Sequence, residues 1–217
     1  MPDWIIVPGG NLGNSSSFGN AFSELKALGL IDRVPRLAII VSEGADTLDR
    51  IHNGTGLRFD DGAFDHGVID ADYRWQDETG LRPHTIASAI EISRPVNITK
   101  CLRALEICDG VVRSRPDGDI MNAKAQVGRW GLGCEPASAA SVAGAKLLIE
   151  QGVIGPDERI VCILTGHALK DPDATVGYHT GAYPEGKEVE GPRDFVNVPV
   201  PVANDLDAII AAIEGRP

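Results

Sequence analysis

Three short runs in this sequence carry residue types that could do chemistry. The first is a glycine-rich loop, Pro8-Gly9-Gly10-Asn11-Leu12-Gly13-Asn14. Ahead of it, Trp4-Ile5-Ile6-Val7 reads as a buried strand, and behind it Ser15 to Leu28 has helical spacing, with Phe18, Phe22, Leu25 and Leu28 on one side. Asn14, Ser15 and Ser16 are all acceptable helix caps. A strand, a glycine loop and a helix N-terminus together make an anion site. Glycines let the backbone approach, and free N–H groups and the helix dipole point at the guest. A phosphate monoester fits. The spacing is neither G-x-G-x-x-G nor the P-loop pattern, which disfavours dinucleotides and nucleoside triphosphates. The alternative is an ordinary βα turn that needs glycine for its backbone angles.

The second run is Gly133-Cys134-Glu135-Pro136-Ala137-Ser138, opening a helix rich in Ala, Ser and Gly. Pro136 suits the first helical position, and small residues let such a helix lie close to a sheet or a flat ligand. Glu135 is either an acid at the helix start or a site residue. The third run, Thr165-Gly166-His167-Ala168-Leu169-Lys170-Asp171-Pro172, follows the apolar stretch Arg159–Leu164, which reads as a buried strand. In an open parallel sheet, ligands bind outside the carboxyl ends of the strands. Val7 to Gly10 and Leu164 to Thr165 are both such ends.

The elements that position these runs alternate as strand and helix. Leu37–Val41 is a second strand, Ala45–His52 a short helix closed by Asn53-Gly54, and Gly110–Val112 a third strand. Asn97 caps a helix striped by Ile98, Cys101, Leu102 and Leu105, and Asp117–Trp130 turns Ile120, Ala123, Val127 and Trp130 inward. Phe195–Val202 and Asp205–Glu214 read as a last strand and helix. Residues 173–193, with Tyr178, His179 and Tyr183, read as an ordered surface loop. The fold class expected is α/β: an open, mostly parallel sheet with helices on both faces.

Gly54 to Pro83 interrupts this rhythm with Asp60, Asp61, Asp65, His66, Asp70, Asp72, Asp77 and Glu78. A solvated acidic excursion is expected there in preference to a metal site, because the ligand spacing of a calcium loop is missing. The chain has 217 residues, is 43% hydrophobic and carries a net charge of −11, which suits one core-forming unit and disfavours nucleic acid and anionic membranes as partners. No apolar run approaches a membrane span, and no signal peptide is expected ahead of the first strand. Cys101, Cys108, Cys134 and Cys162 form no C-x-x-C or zinc spacing and read as buried thiols, so the expected location is cytoplasmic.

Taken in order, PGGNLGN, GCEPASAASVAG and LTGHALKDPD resemble motifs of threonine synthase, a pyridoxal-phosphate enzyme of fold type II, the tryptophan-synthase-β type. TIASAIEISRPVN is similar to the family segment between the first two motifs. The resemblance implies that Gly9, Gly10, Asn11, Leu12, Gly13 and Asn14 hold the cofactor phosphate. It also implies that Thr165 hydrogen-bonds the pyridine nitrogen and that Glu135 and Ser138 lie close to the ring. The implied reaction is O-phosphohomoserine plus water to threonine plus phosphate.

The family's Schiff-base lysine, its ring-oxygen asparagine and its substrate-gripping small domain all precede the glycine loop. Lys26, Lys100, Lys124, Lys146, Lys170 and Lys187 are the only lysines, and none stands in that lysine's context. Residues 1–217 are therefore expected to be the carboxyl-terminal part of the catalytic region, inactive alone, with the missing N-terminal half or a second copy as partner. Other readings are another fold-type-II amino-acid lyase or dehydratase, and a non-catalytic phosphate- or partner-binding fragment.

Overall fold

The computed structural model describes residues 1–60 and 63–215. Its strands are β1 (Trp4–Pro8), β2 (Arg36–Ser42), β3 (Val111–Arg115) and β4 (Ile160–Cys162). They form one parallel sheet in the order β3-β2-β1-β4. Successive strand residues point to opposite faces, and the sequence uses both. Ile5, Val7, Leu37, Ile39 and Val41 enter one apolar layer, and Trp4, Ile6, Ala38 and Ile40 enter the other. Helices α1 (Gly13–Ala27) and α4 (Ile98–Ile107) cover the first face. Helices α5 (Asp117–Arg129) and α6 (Pro136–Glu150) cover the second. The expected α/β architecture is what the structure has. Among the described residues, no helix is long and apolar enough to cross a membrane, and the four cysteines are free thiols.

Close approach is what the small residues provide. A Cβ on Gly144 of α6 would stand 2.3 Å from the Ile40 side chain of β2, so this helix lies directly on the sheet. On the other face, a Cβ on Gly19 of α1 would stand 2.5 Å from Cβ of Ala104 on α4.

Several expectations are corrected. The first helix starts at Gly13, two residues early. Leu12 stands at its N-cap with φ 63° and makes no side-chain cap. Leu28 falls beyond the last turn and is exposed, as is Trp130 beyond α5. The turn expected to close at Asn53-Gly54 runs through them as a π-helical turn, Arg50–Gly54, after the short helix α2 (Thr47–Asp49). Asn53 is held there by donating to the Val112 carbonyl at 2.9 Å.

The acidic excursion contains a 14-residue helix, α3 (His66–Thr79), capped by Asp65, whose side chain accepts from the Gly67 N–H. The buried side of α3 is Ile69 and Gln76. Gln76 Nε2 donates to Thr47 Oγ1 at 3.2 Å and to Asp72 Oδ2 at 2.6 Å, so a polar residue fills a core position. Arg50 ties α3 down through Asp72, at 3.0 and 3.1 Å. Asp61 lies outside the described residues. Among those described, no group of His, Cys, Asp and Glu is arranged to hold a metal ion.

The expected strand Arg159–Leu164 is regular only over Ile160–Cys162. It sits at the edge of the sheet, with Val161 41% exposed. Residues 173–193 contain α7 (Pro172–Thr180), whose Tyr178 is fully buried and donates to Asn122 Oδ1 at 2.7 Å. Phe195–Val202 forms no strand. Pro199 and Pro201 remove two of its backbone donors. The last helix, α8 (Leu206–Glu214), follows.

Two helical glycines separate packing from propensity. Glycine to alanine normally stabilises a helix by roughly 0.5–1 kcal/mol. Gly128 of α5 has nothing within 4 Å of an added Cβ, and Gly128→Ala is expected to gain that much. Gly19→Ala meets Ala104 and is expected to lose about 1–3 kcal/mol by overpacking. Urea unfolding of the two variants measures both signs.

Candidate functional site

The glycine loop is built from β1 outward. The Gly9 N–H donates to the Ile40 carbonyl at 2.7 Å, and a Cβ there would meet Ile39 and Val41 at 2.8 Å. Gly9 is thus a packing glycine beneath the loop. Gly10 lies against the next wall: its Cβ would stand 2.9 Å from the Ala89 carbonyl oxygen. Leu12 takes a left-handed backbone at a cost of about 1 kcal/mol. Burial of its side chain in the first apolar layer, to 3% exposure, offsets that cost. This turn sets the direction of α1. Among the described residues, the N–H groups of Gly13, Asn14 and Ser15 have no acceptor. The Ser15 hydroxyl is also buried without a partner. Donors left free at a helix start, with no side chain capping them, are what an anion requires.

Asn97, expected as a helix cap, instead braces this loop. Its backbone N–H and its Nδ2 both donate to the Asn11 carbonyl, at 3.2 and 3.0 Å. Neither Asn97 nor the wall formed by Ala89 and Ile90 was chosen as a site residue from the sequence. The signal available was their place in the SRPVN and TIASAI stretches.

A cavity of about 240 Å³ is lined by Gly10, Asn11, Leu12, Gly13, Asn14 and Thr165, with Ala89, Ile90 and Ala137 on its walls. The loop and Thr165 therefore share one edge of the sheet. Glu135 and Ser138 stand behind Thr165. The Gly166 N–H donates to Ser138 Oγ at 2.8 Å, and Ser138 and Thr165 share a hydroxyl–hydroxyl hydrogen bond of 3.1 Å. The Glu135 N–H donates to the Gly166 carbonyl at 3.1 Å. Gly166 is required here, because a Cβ would lie within 2.6 Å of the Glu135 carboxylate.

That carboxylate is buried and would be costly without a counter-charge. Lys170 supplies one, Nζ to Oε2, at 2.9 Å. The hydrogen bond to Glu135 and its negative charge raise the Lys170 pKa. Ser88 Oγ donates to Asp171 at 2.8 Å and pins the same loop to the wall that touches Gly10. The arrangement offers an anion cradle on one lip and, on the other, a hydroxyl that can donate or accept.

Comparisons with known proteins identify the family. The sequence pattern of the family described as "Pyridoxal-phosphate dependent enzyme" matches residues 1–166. The chain belongs to this family. It is 36% identical to threonine synthase of Methanosarcina acetivorans over 100% of this chain and 45% of the relative. It is 40% identical to threonine synthase of Methanocaldococcus jannaschii over 81% of this chain and 39% of the relative. The chain thus spans less than half the length of these curated relatives. The solved structure of Escherichia coli threonine synthase superposes with TM-score 0.52 at 16% identity, over 97% of this chain and 43% of that one. The L-serine ammonia-lyase of Rhizomucor miehei gives TM-score 0.52 at 16% identity, over 76% of this chain and 45% of that one. Both structural likenesses are of fold.

Two expectations follow for the polar network. Ser138→Ala leaves the Gly166 N–H without its acceptor and is expected to cost about 1–3 kcal/mol in urea unfolding. The Lys170–Glu135 pair is fully formed below the ordinary lysine pKa of 10.5, and its contribution fades as pH rises through the raised folded-state value. Lys170→Met should therefore remove part of the alkaline loss of stability, read from melting temperatures between neutral and strongly alkaline pH.

Proposed function

We propose that this chain is the carboxyl-terminal part of the catalytic region of a pyridoxal-phosphate threonine synthase. The reaction proposed is the conversion of O-phosphohomoserine and water to threonine and phosphate. The observation that carries the reading is the cavity shared by the uncapped start of α1 and the Thr165 hydroxyl. The threonine synthase relatives, at 36% and 40% identity, support the substrate.

The residues fit the cofactor. The Gly13, Asn14 and Ser15 N–H groups and the Ser15 hydroxyl would hold its phosphate, with Gly10 leaving room. Thr165 would face the pyridine nitrogen, held by Ser138. Bound pyridoxal phosphate supplies an electron sink for bond-breaking next to an amino-acid nitrogen. A hydroxyl facing the ring nitrogen does not force it to carry a proton as a carboxylate would. Glu135 does not take that place, because its charge is spent on Lys170.

No residue of this chain is assigned as the covalent lysine. Lys170, the nearest in sequence to Thr165, is paired with Glu135. The covalent lysine and the substrate-phosphate contacts are assigned to an amino-terminal part. Its docking place is the open side of β4, which pairs with β1 on one side and with no other strand among the described residues. An unpaired strand edge presents free N–H and C=O groups with which a further strand can pair.

The test is calorimetric titration with pyridoxal phosphate, followed by borohydride reduction and peptide mapping. Saturable binding is expected, weakened at least tenfold by Gly10→Val, with no stoichiometric lysine label. Adding the amino-terminal half of the Methanosarcina acetivorans relative should yield phosphate release from O-phosphohomoserine. Equal binding in the Gly10→Val variant, or one specifically labelled lysine with phosphate release by the chain alone, overturns the reading.

A further inference from the structure

A larger cavity, of about 560 Å³, lies between α5, α7 and residues 194–197. On its lining Gly133 and Ala168 pack together: a Cβ on Gly133 would stand 2.7 Å from that of Ala168. Lys124 lines it and is only 8% exposed. Lysines are rarely this buried unless paired; the Lys124 ammonium is not among the fully enclosed polar atoms and still meets solvent. Among the described residues, no carboxylate or hydrogen-bond acceptor is in contact with the Lys124 ammonium. Asp194 lines the same cavity, but its carboxylate accepts from Asn122 Nδ2 at 3.0 Å. Asp171, whose charge lies near Lys124, accepts from Ser88.

The remaining lining defines what would complete the site. His179 Nδ1 accepts from the Asn197 N–H at 3.0 Å, which leaves Nε2 as the donor. Leu132, Ala168 and Val196 give apolar walls. Burial lowers the pKa of both Lys124 and His179, and the neighbouring Cys134 and Asp171 offset only part of that at Lys124.

We propose that this cavity is a second binding site, for a small aliphatic carboxylate whose charge pairs with the Lys124 ammonium. A carboxylate needs two or three donors, and Lys124 and His179 can provide them. A phosphate would need a fuller cradle of donors than one lysine and one histidine. The apolar walls take a short hydrocarbon body. This site does not depend on the assignment of the glycine-loop cavity.

The test is isothermal titration of the full chain with butanoate, butylammonium and inorganic phosphate. Butanoate is expected to bind saturably, one per chain, and butylammonium not at all. Lys124→Met, close in volume and uncharged, should weaken butanoate at least tenfold. Should that variant fail to fold, Ala168→Leu decides, because it fills the cavity and keeps the lysine; it too should weaken butanoate at least tenfold. Absence of saturable butanoate binding, unchanged affinity in the variant that decides, or phosphate binding tighter than butanoate and abolished by Lys124→Met overturns the proposal.

Discussion

β1 is hydrogen-bonded on both sides, and the candidate site hangs from that pairing. Its register aligns Trp4 with Arg36 on one flank and with Ile160 on the other. Parallel pairing makes all carboxyl ends point the same way, so the segments that leave β1 and β4 must meet at one edge. The Ile163 N–H still donates to the Ile6 carbonyl at 2.9 Å, one residue beyond regular β4. Two residues later stands Thr165. A slip of one residue along β1 would turn Ile6 into the wrong apolar layer and shift the loop relative to Thr165.

Polar contacts then fix what the sheet only brings near. One lip is braced by Asn97 on Asn11 and by the approach of Gly10 to Ala89. The other is braced by Ser138 on Gly166 and Thr165. The Ser88–Asp171 bond joins the two lips. The Asp117 carboxylate supports that bridge from below, accepting from Ser42 Oγ at 3.0 Å and from the Ile86 N–H at 2.7 Å. None of these contacts requires a long, mobile side chain, so the lips are set by the fold.

The parts of this arrangement that follow from local apolar pattern were legible in the sequence. The runs at Trp4 and Leu37, the stripe of α4 and the proline start of α6 each carry their own signal. α3 was not legible, because its inward face includes Gln76 and its flanks are acidic; polar satisfaction replaced apolar periodicity. α7 was hidden by glycines and by a tyrosine whose hydroxyl is spent on Asn122. Phe195–Val202 misled in the opposite sense. Its valines alternate as a strand would, but prolines occupy the intervening places and Val198 and Val200 are more than half exposed. Within the candidate site, the glycine loop, Glu135 and Thr165 stood out by type, and Ser138 only through the family resemblance. Asn97 and Lys170 act through contacts between segments distant in sequence, which no spacing reveals.

The double pairing of β1 also governs the order in which a growing chain can close its core. β2 follows β1 after a single helix, so one flank is covered early. The other flank waits for β4, roughly 150 residues later, which at the usual ~5–20 residues per second of translation is a delay of roughly 8 to 30 s. Through that interval the backbone N–H and C=O groups of Trp4, Ile5 and Ile6 on that flank stay unpaired. The two lips of the cavity therefore cannot gather before Ile160 is made, and a nascent chain stalled short of it offers that open flank to whatever chaperone or neighbour it meets.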